Sequence, residues 1–395
     1  MSYAAKDLEL LESDIRRQGA LLAESLPWFD EVTAEAAARL GPAPTRVYLV
    51  GCGDSYDAAW AARFLWERLL GIPTEAAPAL TFARYLVEAA PGDAVVVVLS
   101  QSGAVSRVVE AARSAAARGL RAVVVTGVAD SPLGRERAAV RLVTPFPKLG
   151  SVPGTASYLF NLTLLYSLGM ALAAVWAATR PDTAALVAAT RAELERLPVL
   201  IDAALDRLWD VAREHAAATG DRRPVHLFLG AGPNLATARY AARKCYEILQ
   251  LPAMVQETEE YAHDQIGLVG PGTPCMLFAP AGAADSRNRE ILASLAALRV
   301  PVAVVGDRRA ADVVAGEPVS GGEGSRVSAP DGARWLYALP AGLGELVSPL
   351  LQAVPAQLYV CELARLVGGS FYGYGDPVLR GLGDALIYES EVARP

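Results

Sequence analysis

Lysine is scarce in this chain of 395 residues and occurs only at Lys6, Lys148 and Lys244. The 43 acidic residues outnumber the 36 basic residues, which gives a formal net charge of −7. This balance disfavours nucleic acid and anionic membrane surfaces as partners, because both select clustered positive charge. A small anionic ligand would therefore need a local binding site.

Cysteine and histidine are also rare. The four cysteines have no CxxC spacing and the three histidines do not cluster, so the sequence predicts neither a metal site nor a disulfide framework. A reducing compartment is expected. The N-terminal residues are charged and amphipathic and have no apolar signal core, which predicts a cytoplasmic protein.

Charge is missing altogether from Leu149 to Thr179, a stretch long enough to span a bilayer. A membrane span and a core helix of an α/β domain would both explain it. The core helix is favoured, because strand-rich sequence of the globular type surrounds the stretch. We therefore expect no membrane association.

Short β-branched runs alternate with helical stretches along the whole chain. They read RVYLVG, AVVVVLS and RAVVVTG in the first half and VHLFLGAG, CMLFAP and PVAVVG in the second. Runs this apolar are typical of parallel strands covered on both faces. The predicted fold class is α/β, with doubly wound parallel sheets flanked by helices.

The two halves also resemble each other at a constant offset of 179 residues. The matched pairs are Gly51 with Gly230, Gly53 with Gly232, Ala62 with Ala241 and Pro73 with Pro252. Constant spacing over this length predicts a duplicated α/β unit.

The composition suggests the following domain boundaries. Residues 1–44 form an N-terminal helical segment, 45–182 the first domain, 183–224 a linking pair of helices, 225–367 the second domain and 368–395 a C-terminal tail. The stretch from Gly306 to Arg334 is rich in small and polar residues and predicts an exposed loop. A final helix is predicted from Leu346 to Val367, and the tail after it shows no clear periodicity.

Serines follow two of the predicted strands. The strand 94–99 runs into Ser100, Gln101, Ser102 and a helix predicted over 104–118, and the first strand runs into Ser55. Ligands of open parallel sheets bind outside the carboxyl ends of the strands, and helix N-termini favour anions. Each serine alone would be an ordinary helix cap. Two such loops at neighbouring strands favour a phosphate site.

The motifs GCGDSY and LSQSG resemble those of the double SIS (sugar isomerase) family, over roughly residues 46–365. The family includes the isomerase half of glucosamine-6-phosphate synthase, sugar-phosphate deaminases and fructosamine deglycases. The resemblance implies two tandem SIS domains and a sugar-phosphate ligand. It also implies that this ligand is bound by Gly53, Asp54, Ser55, Ser100, Gln101, Ser102 and Thr155, the last at the head of a long helix.

The resemblance further implies a catalytic pair. The family places a glutamate on the first helix of the second domain and a histidine sixteen residues later, which correspond to Glu247 and His263, and Lys244 matches a family lysine. A carboxylate in a partly dry pocket, with its pKa raised, suits proton transfer between C1 and C2 of a sugar. Histidine suits ring opening or protonation of a departing amine. As alternatives, all three could be structural or solvent-facing residues.

The chain departs from the family pattern in three ways. No lysine follows Lys244 and no glutaminase domain is expected, so amination of a ketose phosphate is disfavoured. The resemblance implies that the tail 368–395 completes the active site, and Arg380 in this tail is expected to bind the ligand; it cannot form an imine because arginine stays protonated. Ala104 and Val105 replace a Glu-Thr pair of the family after SQSG, so we expect Ser106 or Arg107 to replace the lost donor. Asp54 stands where the family has a threonine and adds negative charge nearby, which would either repel a phosphate or hold a hydroxyl group or amine of the sugar.

The resulting hypothesis is an enzyme that acts on an amino or glycated sugar phosphate and releases an amine, as a deaminase or a deglycase. A simple aldose–ketose isomerase and a non-catalytic sugar-phosphate sensor are the alternatives. No cofactor or metal is expected. The resemblance implies a homodimer with active sites shared between subunits.

Overall fold

The computed structural model describes residues 5–220, 225–307 and 334–392. These residues divide into two compact units. The first contains Ala20–Leu149, Ala156–Glu195 and Asp376–Pro395 and is called the N-terminal sheet unit; the second contains Met1–Gly19, Gly150–Thr155 and Arg196–Gly375 and is called the C-terminal sheet unit. The loop predicted between Gly306 and Arg334 lies almost entirely outside the described residues.

The N-terminal sheet unit is built on five parallel strands in the order β2-β1-β3-β4-β5. Their bounds are Val47–Gly51 (β1), Thr74–Pro78 (β2), Val95–Ser100 (β3), Arg121–Thr126 (β4) and Val140–Val143 (β5). All six residues of β3 are buried, which explains its unbroken valine run. Its longer helices include most of α2 (Gln18–Arg39), α3 (Asp54–Leu70), α4 (Ser106–Ala117) and α5 (Ala156–Trp176).

The C-terminal sheet unit has a second sheet of five parallel strands, in the order β7-β6-β8-β9-β10. Their bounds are His226–Gly230 (β6), Ala253–Glu257 (β7), Cys275–Phe278 (β8), Val302–Gly306 (β9) and Arg334–Ala338 (β10). Its helices are α1 (Ala5–Arg16), the larger part of α6 (Thr183–Thr219), α7 (Pro233–Lys244), α8 (Asp285–Ala297) and α9 (Pro349–Val367).

The two sheets repeat one another in strand order and register. Strands β6 and β7 begin and end 179 residues after β1 and β2. The register also repeats, since Tyr48 pairs with Val96 in the first sheet and Leu227 pairs with Cys275 in the second. The α/β fold class and the internal duplication predicted from the sequence are therefore confirmed.

Among the residues that the structure describes, two helices, α5 and α9, are long and apolar enough to cross a membrane by length and composition alone. In their most apolar windows, 78% and 83% of the residues are buried inside the protein. Helix α5 packs against α3, where the indole nitrogen of Trp66 donates to the Leu165 carbonyl at 2.9 Å. This is the environment of a core helix, as predicted for Leu149–Thr179.

One helical prediction was wrong, and one helix was not predicted. The linker is one continuous helix, α6, and not a pair, because buried leucines at helical spacing continue on both sides of Pro198. The tail contains a helix, α10 (Pro377–Tyr388), whose first turn is capped by the Asp376 carboxylate, which accepts from the amides of Val378 and Leu379. Its Asp-Pro start signal was present in the sequence and was missed.

Candidate functional site

The strand order of the N-terminal sheet unit reverses direction between β1 and β3. Strand β2 lies on one side of β1, and β3 with the remaining strands lies on the other. The loops that follow β1 and β3 therefore diverge from a common point at the carboxyl edge of the sheet, where ligands of such sheets bind. The fold thus brings Gly53, Asp54 and Ser55 to the same edge as the loop Ser100–Ser102.

The first loop turns sharply between β1 and α3. Gly53 has φ 57° and ψ −131°, a conformation that only glycine adopts readily. A Cβ atom on Gly51 would lie 2.8 Å from the Cβ of Ser55, so glycine is also needed for close packing of the turn. The turn leaves Ser55 partly exposed, in the first turn of α3.

The second loop is stabilised by its own hydroxyl groups. Ser100 is 4% exposed and its Oγ accepts the Gly103 amide at 3.2 Å, while Oγ of Ser102 accepts the Ala104 amide at 3.3 Å. Nε2 of Gln101 donates to Oγ1 of Thr144 at 3.3 Å. Ser102 is thus the partly exposed serine of this loop.

Helix α4 begins at Ser106, whereas the sequence predicted that it begins at residue 104. Val105 is extended, with φ −65° and ψ 113°, and caps the helix. The side chain of Arg107 bonds with the buried Glu110 carboxylate and with the Glu391 carbonyl. Its role at the ligand in place of the missing donor stays a prediction, as does that of Ser106, which is 4% exposed.

Thr155 and Arg380 have no demonstrated ligand role. Thr155 belongs to the C-terminal sheet unit, is fully buried and donates its hydroxyl to the Asp14 carboxylate. Arg380 lies on the exposed helix α10 of the N-terminal sheet unit. Both assignments stay predictions.

In the C-terminal sheet unit, Lys244 and Glu247 form a close pair. The Lys244 side chain is 0% exposed, and its Nζ lies 2.5 Å from Oε2 of Glu247, whose side chain is 22% exposed. Nζ also lies 4.8 Å from the ring centroid of Tyr240. Lys244 therefore does not extend into water, and its ammonium group compensates the charge of a carboxylate that solvent can still reach.

His263 has a different environment. Its side chain is 68% exposed, and Nε2 lies 3.1 Å from Oε1 of Glu259. Glu259 also pairs with Arg287 at 2.6 Å, so the histidine is held against an anchored carboxylate. The carboxylate of Asp264, the residue after His263, accepts from Nε2 of Gln256 at 3.3 Å.

Both candidate catalytic residues lie on single π-helical turns. Glu247 lies within Cys245–Leu249, which continues α7, and His263 lies within Tyr261–Gln265, after β7. Such turns are rare and occur frequently at functional sites. Neither the π turns nor the Arg287 contact has a signal in the sequence pattern. Within the described residues, no group of three or more metal-ligating side chains could hold a metal ion.

Comparisons with known proteins agree with this fold. Residues 42–171 match the model of the SIS domain. The glutamine–fructose-6-phosphate aminotransferase [isomerizing] of Caulobacter vibrioides is 30% identical over 323 residues, which are 82% of this chain and 50% of that protein. The chain thus spans about half the length of the curated relatives it matches.

Solved structures show the same architecture over nearly the whole chain. The C-terminal domain of glucosamine-fructose-6-phosphate aminotransferase from Francisella tularensis has a TM-score of 0.75 at 18% identity, covering 91% of this chain and 96% of that one. Glucosamine-6-phosphate deaminase from Thermotoga maritima has a TM-score of 0.63 at 22% identity, covering 90% and 93%. Residues 42–171 of this chain are therefore similar to the SIS domain.

Proposed function

We propose that this chain is a sugar-phosphate isomerase-type enzyme, and that its substrate is an amino or glycated sugar phosphate from which it releases an amine. The SIS domain match and the activities of two similar proteins support the sugar-phosphate class; these proteins are an isomerizing aminotransferase of fructose 6-phosphate and a glucosamine-6-phosphate deaminase. We also propose that the second repeat is an SIS domain, because its strand order and register match those of the first.

The observation that carries the proposal is the Lys244–Glu247 pair. A base that removes a proton from carbon must be ionised at rest and reachable by the substrate. The buried ammonium group of Lys244 favours the ionised carboxylate, and the 22% exposure of Glu247 leaves the carboxylate reachable. Lys244 itself is fully buried and paired, which argues against it as the amine that attacks a sugar carbonyl.

The chemistry proposed for Glu247 is a proton shuttle. The carboxylate takes a proton from the carbon that bears nitrogen, and the same proton or one from water is returned to the neighbouring carbon. In the open-chain substrate the neighbouring carbon carries a carbonyl group, and this group is reduced to an alcohol while the carbon–nitrogen single bond becomes an imine, the nitrogen-bound proton passing to the carbonyl oxygen. Water then hydrolyses the imine to a carbonyl group and a free amine. His263, held by Glu259, would open the sugar ring and protonate the departing nitrogen.

We propose that the edge of the first sheet is a phosphate-binding position. Ser55 and Ser102 present partly exposed hydroxyl groups there, next to the N-termini of α3 and α4. Because His263 is 68% exposed, we propose that it serves a site shared with a second copy of the chain in a homodimer. Proton transfer and imine hydrolysis use only these side chains and water.

The test is isotope incorporation in heavy water. Glucosamine 6-phosphate or fructosamine 6-phosphate is incubated with the protein, and deuterium at C1 or C2 is read by mass spectrometry while free amine is assayed. Wild type should incorporate deuterium and release amine, and Glu247→Gln should do neither. Glu260→Gln makes the same chemical change at an exposed carboxylate and should behave as wild type.

The outcomes separate the candidate functions. Deuterium without amine release would leave simple aldose–ketose isomerisation as the activity. Saturable binding of the sugar phosphate with no incorporation would indicate a sensor. Incorporation that is unchanged in Glu247→Gln would contradict the assignment of the base.

A further inference from the structure

The two repeats differ at the position where the first sheet presents its serines. With the offset of 179, the counterpart of the loop Ser100–Gly103 is Ala279–Gly282, which has no hydroxyl group. The counterpart of Ser55 is Asn234, which is 1% exposed. The second sheet has the same strand order, so its loops diverge at the same kind of point between β6 and β8.

A carboxylate of the chain itself lies in this second loop. The amide of Ala283 donates to Oε2 of Glu345 at 3.0 Å. A Cβ atom on Gly282, the counterpart of Gly103, would lie 2.7 Å from Oε1 of Glu345 and nearer still to the other carboxyl atoms. Glycine at this position therefore permits the close approach of the carboxylate.

The first turn of α7, which follows β6, is hydrogen-bonded to the segment that contains Glu345. Nδ2 of Asn234 donates to Oγ of Ser348 at 2.8 Å, and this hydroxyl in turn donates to the carbonyl of Glu345 at 2.8 Å. Ser348 is 4% exposed. The segment Gly344–Ser348, which leads into α9, thus bonds with the loops after both β6 and β8.

We propose that Glu345 is a built-in anion that occupies the anion-binding position of the second repeat. A carboxylate that accepts a backbone amide in a loop leading into a helix makes the same kind of contact as a bound phosphate. The second switch point is thereby closed to phosphate-bearing ligands. The contacts of Glu345 do not depend on the proposed function. Only the comparison with the phosphate-binding loop of the first sheet rests on the proposed function.

Added anions should stabilise a variant that lacks the Glu345 carboxylate. In Glu345→Ala the position is emptied, so inorganic phosphate or sulfate can enter and stabilise the folded protein by mass action. At an anion concentration about tenfold above its dissociation constant, the Tm of this variant should rise by roughly 3 °C more than that of wild type. Anions bound at the first sheet stabilise every variant equally and cancel in this difference.

The measurement is thermal unfolding in a phosphate series, with chloride added to match ionic strength. The matched control is Glu290→Ala, which removes an exposed carboxylate that pairs with Arg287 in the same unit; its phosphate response should equal that of wild type. A sulfate-soaked crystal of Glu345→Ala should show the anion within hydrogen-bond distance of the Ala283 amide, and a wild-type crystal should not.

Glu345→Gln provides a second variant if the alanine variant does not fold. Its amide oxygen can still accept from Ala283, but the charge is gone, so its phosphate response should lie between those of wild type and Glu345→Ala. If folded Glu345→Ala and Glu345→Gln both respond to phosphate as wild type does, Glu345 is only a structural cap and the proposal is wrong. Anion density at Ala283 in wild type would overturn it as well.

Discussion

Neutralising Glu247 should destabilise the protein as well as abolish proton transfer. The Lys244 side chain is 0% exposed and its Nζ lies 2.5 Å from Oε2 of Glu247, so Glu247→Gln leaves a buried ammonium group without this carboxylate. Removing one partner of a buried ion pair costs about 3–5 kcal/mol. Because Glu247 is 22% exposed and glutamine keeps an acceptor oxygen, we expect the lower end, about 3 kcal/mol.

The matched variant is Lys244→Met combined with Glu247→Gln. Methionine keeps most of the buried aliphatic volume and carries no charge, so the double variant should unfold within about 1 kcal/mol of wild type. The comparison is a double-mutant cycle, measured by urea unfolding followed with far-UV circular dichroism. It also supplies a stable, base-free control for the isotope experiment.

Two results would refute this reasoning. If Glu247→Gln unfolds within about 0.5 kcal/mol of wild type, as surface substitutions usually do, then the ammonium group does not depend on this carboxylate. If the double variant is less stable than Glu247→Gln, methionine at position 244 costs more than the unpaired charge, and the pair acts through packing.

Three further outcomes follow from the structure. Gly103→Ala should cost about 1–3 kcal/mol, because φ is +64° and the new Cβ would lie 2.6 Å from the Cβ of Ser131; urea unfolding checks it. Ser102→Ala should weaken sugar-phosphate binding about tenfold, measured by calorimetry, and should lower the Tm by only about 2–4 °C, because the Ala104 amide loses one acceptor. Burial, with His226 nearby, lowers the pKa of His215 well below its usual value near 6.5. The contribution of the neutral histidine to the free energy of unfolding is therefore fully present above pH 6.5, and the free energy of unfolding should fall by up to about 1.4 kcal/mol per pH unit below it. His215→Phe should flatten this slope between pH 7.5 and 5.5, and an unchanged slope would assign it to another group.

The sequence predicted the two sheets well because the repeats contain no insertion relative to each other over their first two strands and the glycine-rich turn. Strands β1 and β2 and the first glycine-rich turn recur 179 residues later as β6 and β7 and their turn. Hydrophobic runs then determine which segments are strands, and polar residues at their ends locate the loops. The position of the serines at the first sheet edge follows from these two features.

The sequence could not show which polar groups satisfy one another. The spacing of Lys244 and Glu247 permits a contact on one helix face, but the complete burial of the lysine depends on how other elements pack around α7. Glu345 contacts Ala283 across 62 positions in the chain, and no local pattern indicates that pairing. The continuous helix α6 was missed because a proline usually ends a helix, and here burial of its apolar stripe outweighs that preference.

The burial of Lys244 also determines which lysines of the chain react with aldehydes and with amine-directed reagents. Of its three lysines, Lys6 and Lys148 are exposed and Lys244 is not. Open-chain sugars glycate accessible side-chain amines, and this chain offers them two. An amine-reactive dye at neutral pH should accordingly label these two lysines and spare the third, so that labelling of Lys244 reports the opening of its ion pair.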